Sequence, residues 1–437
     1  MSVNETPILQ RMIEVLRVYP LCDRCLGRLY ARKGLGLNNK LRGCAIKTLL
    51  TMYARDLANF LNKDTIINIA RNIMFEPFIE TIIKLGILDE EEVKQLNMSN
   101  VKCYVCGGNL DEIINHYYNV ISSEIRKYDV RKFHVGVKIP NDILKREEEL
   151  IRRYKFEYAE SIKNEIKREI GKMITTMLNL EVDFEDPHIV ILVDLEKDRV
   201  SFELKPLLIK GRYLKIGRNI AQSKWITRLG KPRTDISIAG VLETLCSIVQ
   251  AKELKIHVAG REDLDVRMLG TGRPLIVELK HARKRLIPLR TIEDHVNKQS
   301  EFIQFKLDSE TTRKDVTKLK IEAKYQKKIY RALFASFQPL TKDDIRLIEE
   351  KMRNTKIKQR TPLRVLHRRK DIVRVKTVYR VKCNPITENL IESLIECQGG
   401  LYVKELIEGD EGRTNPSFSS IISKKLKCIE LDVLAVY

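Results

Sequence analysis

Two Cys-x-x-Cys pairs, Cys22-Asp-Arg-Cys25 and Cys103-Tyr-Val-Cys106, are separated by residues 26–102. A thiolate pair at this spacing offers two ligands to one ion, and Gly107-Gly108 supplies a tight knuckle that lets both sulfurs of the second pair face the same way. Cys22, Cys25, Cys103 and Cys106 are therefore read as the ligands of one tetrahedral structural Zn²⁺. A compact zinc ribbon has roughly 15–20 residues between its pairs. The longer separation predicts instead a helical insertion tied at its base by the metal. Cys44, Cys246, Cys383, Cys397 and Cys428 are isolated and read as small buried hydrophobes. An odd total of nine cysteines in 437 residues excludes a secreted disulfide scaffold.

A chain of this length carries more than one core. No apolar run approaches the roughly 20 residues that span a bilayer, and the first residues lack a signal peptide's basic and apolar regions. A soluble, cytoplasmic protein without a membrane partner is expected. Lysine and arginine number 80 against 59 acidic residues, a formal net charge of +21. That excess favours a polyanionic partner, nucleic acid before an anionic membrane. Lys205 to Arg233 holds nine basic residues and no acidic one, interleaved with Tyr213 and Trp225. Cations there can neutralise phosphates while an aromatic plane stacks on an unpaired base. Thr361 to Val381 carries seven basic residues to one acidic and alternates apolar with basic as a strand does, lining cations along one face.

Hydrophobic periodicity gives the coarse order of elements. A short amphipathic helix over 8–18 ends at Pro20, and two helical stretches follow to about residue 97. Lys132 to Ile139 alternates as a strand, Leu144 to Leu178 forms a long charged helical region, and strands over His188 to Leu195 and Val200 to Ile209 make a hairpin. Residues 236–251 read as an apolar helix and Leu426 to Val436 as a closing strand. The class is α+β. Gly34-Leu-Gly36 and Gly270-Thr-Gly272 are isolated glycine pairs, neither of which fits a dinucleotide fingerprint.

Two β-rich runs, Leu254 to Val258 and Leu275 to Leu279, flank a loop dense in Gly, Arg and Asp, the usual place for chemistry. No phosphate loop, HExxH zinc site or zinc deaminase signature occurs, and no histidine has a cysteine or serine partner at a recognisable spacing. The candidate nucleophile is Asp263, which lies between Arg261 and Arg267, cations that would keep its carboxylate ionised. Asp265 points the same way in an extended segment, so spacing does not separate the two.

The segment Glu160 to Gly171, with the strands around it, resembles the THUMP domain of tRNA-modifying enzymes. Gly260-Arg-Glu-Asp-Leu-Asp-Val-Arg-Met-Leu-Gly-Thr-Gly-Arg-Pro274 resembles the signature of the archaeal and eukaryotic tRNA pseudouridine-54/55 synthases. Lys327 to Leu333, Tyr402 to Pro416 and Gly211 to Arg218 are similar to further blocks of that family, as are the two cysteine pairs. Leu275 and Leu406 stand where the family often has Phe. The resemblance implies a zinc-stapled THUMP-like RNA-binding module over about 1–212. A mixed or antiparallel-sheet pseudouridine synthase domain would fill about 213–437. It implies Asp263 as nucleophile, Arg261 displacing or holding the target nucleotide, Tyr330 stacking on the uracil and Lys404 paired with Asp263. Asp265 and Arg267 would fix the loop. Tyr330, Tyr402, Arg212, Lys215, Arg218 and Arg267 are the implied RNA contacts. The implied substrate is the T-arm of tRNA, modified at position 54, 55 or both by a monomer with no catalytic cofactor and no obligate protein partner. A non-catalytic tRNA binder or chaperone would share the metal module and basic surface but leave uridines unmodified. A methyltransferase or thiouridine synthetase carrying a THUMP domain would need nucleotide or methyl-donor motifs that this sequence lacks.

Overall fold

The computed structural model describes residues 7–224, 234–323 and 325–437. Trp225 and the basic residues Arg228, Lys231 and Arg233 lie outside the described residues. The chain divides into two compact units, Met1–Lys127 with Arg131–Glu203, and Tyr128–Val130 with Leu204–Tyr437.

In the first unit, five short α-helices occupy the insertion between the cysteine pairs, where sequence periodicity predicts two longer stretches. Local capping divides them: the Asn62 side chain accepts from Thr65 N at the head of one helix, and Pro77 sits in the first turn of the next. Strands β1 (Lys132–Lys138), β2 (Glu181–Val182), β3 (Ile189–Asp194) and β4 (Arg199–Leu204) form a sheet in the order β2-β1-β3-β4, with β1 parallel to both β2 and β3. Phe133, Val135 and Val137 alternate inward from β1, and Ile166, Ile170 and Ile174 face inward at helical spacing from the helix Ile162–Leu178. The expected continuous helix from Leu144 is two, Asn141–Arg153 and Ile162–Leu178. Ser161 caps the second by accepting from Asn164 N, which starts a new helix rather than continuing the old one.

The expected strand from Val200 to Ile209 is also divided, at Pro206, which cannot donate to a ladder. Residues before it belong to β4, and those after it open β5 (Leu207–Lys215) in the second unit. The sequence-based boundary at 212/213 would cut β5 in the middle, although β5 is paired on both edges. The units part at Glu203/Leu204 instead.

The second unit is built on a ten-stranded sheet. Its remaining strands are β6 (Glu253–Val258), β7 (Arg267–Lys280), β8 (Ile303–Glu310), β9 (Lys327–Ser336), β10 (Thr355–Arg360), β11 (Val373–Pro385), β12 (Leu390–Gln398), β13 (Thr414–Asn415) and β14 (Leu426–Val436). The order is β13-β10-β11-β12-β9-β14-β7-β5-β8, with β6 also on β7. Pairing is antiparallel except between β14 and β7, so the sheet is mixed. Tyr213, Met268, Val277, Tyr330, Phe334 and Val433 belong to one apolar core along it.

Strand β7 joins the two halves. Its first residues pair with β14, and after Gly270-Thr-Gly272 it runs between β5 and β6. The isolated glycine pair is thus a bend in a strand. At Gly270 φ is +54°, and a Cβ would lie 2.0 Å from the Leu434 carbonyl oxygen, so only glycine fits. Gly270→Ala is expected to destabilise the protein by roughly 1–3 kcal/mol in urea denaturation; wild-type stability would show that the bend tolerates a side chain.

Candidate active site

The loop between β6 and β7 is clamped from below. Glu262 turns inward, where Arg273 Nε meets its carboxylate at 2.8 Å with both side chains at most 2% exposed. The Tyr213 hydroxyl donates to the two Glu262 oxygens at 2.9 and 3.0 Å. Burial, with the neighbouring Glu262 charge, holds that phenol well above its usual pKa and keeps it a donor. Arg273 also donates to Ala259 O at 2.8 Å, and Gln222 Nε2 to Gly260 O at 3.2 Å. Lys215 Nζ donates to Ile220 O, Asp263 O and Leu264 O at 3.0–3.1 Å. The loop backbone is therefore held at the carbonyls of Ala259, Gly260, Asp263 and Leu264, and the alternation of an extended chain sends the side chain after Glu262 the other way.

That side chain is Asp263, and it enters a cleft. Its Oδ2 lies 2.8 Å from Arg364 Nη1, and Arg364 Nε lies 2.5 Å from Glu405 Oε1. Burial works against the Arg364 charge, but hydrogen bonds and charges from Glu405 and Asp263 outweigh it and hold its pKa above the usual range. The Tyr402 ring lies 5.9 Å from the Arg364 guanidinium carbon and 6.0 Å from that of Arg374. Buried Gln359 fixes the Tyr402 backbone, accepting from its N at 2.8 Å and donating to its O at 3.0 Å. Tyr330 lines the cleft beside Asp263, Leu401 and Val433, its phenol pKa raised by burial. An adjoining space of about 370 Å³ is walled by Arg261, Asp263, Arg369, Lys370, Arg374 and Tyr402. Among the described residues Arg261 is exposed and makes no hydrogen bond or ion pair.

Asp263, Arg261, Tyr330, Tyr402 and Lys404 thus come together from three places in the sequence, the β6–β7 loop, β9 and the segment at Tyr402–Lys404. Other expectations need correcting. Lys404 pairs with Asp265, Nζ to Oδ2 at 2.6 Å, and Arg364 takes the place beside Asp263. Burial would raise the Asp265 pKa, but the Lys404 bond and charge bring it below the usual value. Arg267, at the loop's exit, does not pair with Asp265. It pairs with Asp432 at 2.7 Å. Four of the six implied RNA contacts are committed within the protein. Lys215 is 1% exposed, sealed under the loop. Arg212 is spent on the carbonyls of Thr271, Gly272 and Val436, and Arg218 and Arg267 on Asp432. Residues that sequence reasoning missed are Glu262, Arg273, Arg364, Arg374 and Glu405. Arg364 and Arg374 lie in the basic tract from Thr361, but Arg364 stands on the 3-10 turn Leu363–Arg368, before the strand that the alternation predicts.

In the first unit, Cys22, Cys25, Cys103 and Cys106 place their sulfurs within 4.8 Å of one another, with Cys22 and Cys106 Sγ 3.6 Å apart. Four sulfurs at about 2.3 Å from a tetrahedral ion would be separated by about 3.8 Å, so the cluster fits a metal ion. Gly107 and Gly108 have φ of +76° and +97°, and Gly108 N donates to Cys106 Sγ at 3.3 Å, the knuckle that the sequence predicts. Among the described residues no helix is long and apolar enough to cross a membrane.

The sequence model of the family described as "Pus10, C-terminal" matches residues 208–437, and "Pus10 THUMP domain, archaeal" matches 117–194. The chain is 39% identical to a tRNA pseudouridine synthase Pus10 of Ignisphaera aggregans over 97% of each chain. To the Methanocaldococcus jannaschii protein of the same name it is 36% identical, over 97% of this chain and 93% of that one. Among solved structures, a chain of a Cbf5-Nop10-Gar1 complex overlaps 51% of this chain and 49% of its own at 17% identity and a TM-score of 0.28, too low to carry any argument.

Below the cleft Lys328, 5% exposed, shares the face of β9 with Tyr330, two residues on. Burial, then repulsion from Arg273, lowers its pKa from 10.5 to about 8. The unfolded chain therefore binds the extra proton between about pH 8 and 10.5, and this lysine's unfavourable contribution is relieved as pH rises through that window. Lys328→Met should be more stable than wild type at pH 7, on the order of 2 kcal/mol, with the advantage shrinking by pH 10 in urea denaturation. An advantage unchanged at pH 10 would mean that the gain does not come from relieving a buried charge, and no advantage at pH 7 that the ammonium is well paired.

Proposed function

The chain belongs to the Pus10 family, and on that premise we propose that it is a tRNA pseudouridine synthase acting on uridine 54, 55 or both in the T-arm, with Asp263 as the nucleophile. The observation that carries this reading is the Asp263 carboxylate, oriented by Arg364 and presented by a clamped loop into a basic, aromatic-lined cleft. A target uridine must leave its stack, at a cost of a few kcal/mol. Arg369, Lys370 and Arg374 offset that cost by attracting phosphates, and Tyr330 and Tyr402 offer rings to the displaced base. Arg261, exposed on the wall of the adjoining space and without a side-chain partner among the described residues, holds the displaced nucleotide.

The reaction is an isomerisation. Asp263 engages the nucleotide as the N1–C1′ bond breaks. The uracil turns and rejoins the ribose through C5, the C5 proton leaves, and N1 ends protonated. Atoms and electrons balance within the substrate, so no oxidant, reductant or nucleotide energy source enters. Arg364 keeps the carboxylate aimed and Lys404 steadies the loop through Asp265. The four-cysteine cluster holds structural Zn²⁺ at the base of the helical insertion, remote from this chemistry in role, and the THUMP region grips the rest of the tRNA. The enzyme works as a cytoplasmic monomer.

Wild-type protein incubated with unmodified tRNA should produce pseudouridine in the T-arm, mapped by carbodiimide labelling, and Asp263→Ala should bind tRNA but produce none. Pseudouridine made by the alanine variant at the wild-type rate would remove the nucleophile, and none from wild type would favour a non-catalytic tRNA binder. Purified protein should contain about one zinc, lost in Cys103→Ser; metal analysis finding none in wild type would remove the staple.

A further inference from the structure

Three arginines converge on one carboxylate on the face of the sheet opposite the cleft. Asp432 in β14 is 0% exposed. Arg267 grips it through two bonds of 2.8 and 2.7 Å, Arg218 at 2.9 Å and Arg331 at 3.1 Å. The register explains the meeting, because Asp432 stands opposite Arg267 of β7 and Arg331 of β9. Its neighbours Leu431 and Val433 line the cleft with Asp263 and Tyr330, so strand alternation turns Asp432 to the other side. Burial alone would raise the Asp432 pKa, but the Arg267 bonds and the surrounding charges bring it below the usual value. Glu430 adds to the cluster, 3.2 Å from Arg218 and 3.4 Å from Arg331, and Glu392 lies 2.5 Å from Arg331.

Two of these arginines govern the end of the catalytic loop. Arg218 Nη1 donates to Asp265 O at 2.6 Å and to Leu431 O at 3.2 Å, while Arg267 is the first residue of β7, where the loop ends. The Glu262 clamp and Lys215 hold the loop as far as Leu264, and Arg218 takes the next carbonyl, that of Asp265. The geometry points to Asp432 as a positioning residue for the reaction: by pinning Arg218 and Arg267 it fixes the Asp265 carbonyl and the loop's exit, and so the direction in which Asp263 is presented. This rests on the reading of Asp263 as the nucleophile. Replacing Asp432 by Asn leaves three guanidinium groups around a neutral amide whose NH₂ cannot accept from them, and Arg218 is then repelled by Arg267 and Arg331. The loop exit loosens while the tRNA-facing side chains stay in place, so rate falls without affinity.

Single-turnover rates and tRNA dissociation constants for wild type, Asp432→Asn, Arg218→Gln and the double variant test this, with unmodified tRNA as substrate. Each single change should lower the rate about 10–100-fold with affinity within about twofold. The double variant should be no slower than the slower single one, because Asp432 acts through Arg218. An Asp432→Asn rate equal to wild type, losses that multiply in the double variant, or a fall in affinity as large as the fall in rate would each overturn the inference. Should Asp432→Asn fail to fold, Arg218→Gln decides alone. Its side chain is 26% exposed, so glutamine leaves no fully buried gap, and a wild-type rate there overturns the inference. Failure of the underlying reading shows in a different place, as wild-type protein that makes no pseudouridine, and it takes the inference with it.

Discussion

The second unit depends on the buried ion pair between Glu262 and Arg273. A carboxylate and a guanidinium taken out of water together are tolerable only when their remaining hydrogen-bonding capacity is met. Tyr213 satisfies the carboxylate and Ala259 O accepts from the guanidinium. Removing one partner of such a pair costs about 3–5 kcal/mol, so the pair holds the loop's entry in place. Asp263 follows Glu262 directly, and a carboxylate anchored downward forces the next one outward. The Gly270-Thr-Gly272 bend in β7 belongs to the same device, because past it β7 carries Arg273 beneath the loop that its own first residues close.

Much of this frame is legible in the sequence, and what is not legible has a common cause. The strands from Lys132, Ile189 and Leu426 show as alternating or apolar runs, and the four metal-site cysteines show as spaced pairs, because their determinants are local. The charged loop stands out for its density of Gly, Arg and Asp. Local residues cannot reveal partners, since a long cationic side chain reaches across the sheet to groups far away in sequence. Arg218 meets Asp432 across 214 positions and Lys404 meets Asp265 across 139. A basic tract thus reads as RNA-facing even where its arginines are spent internally, as Arg212 and Arg218 are. Lys215 has no outward sign of burial except its neighbours in an apolar strand. Pro206 marks the parting of the units, but a hairpin expectation extended across it hides the break.

The cleft's chemistry follows from how its charges are spent. Arg364 touches both Asp263 and Glu405, so it orients one carboxylate while a second keeps it from neutralising the first completely. Arg369, Lys370 and Arg374 wall the adjoining space together with Tyr402, and buried Tyr330 lies in the inner cleft. On the proposed reading a polyanion would be attracted at the rim and a planar base received within, the division of labour between phosphate and base contacts in RNA recognition.

The central claim is that the clamped loop delivers Asp263, and no other carboxylate, to a uridine turned out of the T-arm. A crystal structure of the protein with tRNA carrying 5-fluorouridine at positions 54 and 55 tests it most directly, because fluorine at C5 blocks the proton loss that completes the reaction. The account predicts one of these nucleotides unstacked in the cleft, with its ribose or base about 3–3.5 Å from the Asp263 carboxylate or bonded to it, Tyr330 against the ring. A uridine that stays stacked in the T-arm, or one engaged by Asp265 with Asp263 still closed on Arg364, would contradict it.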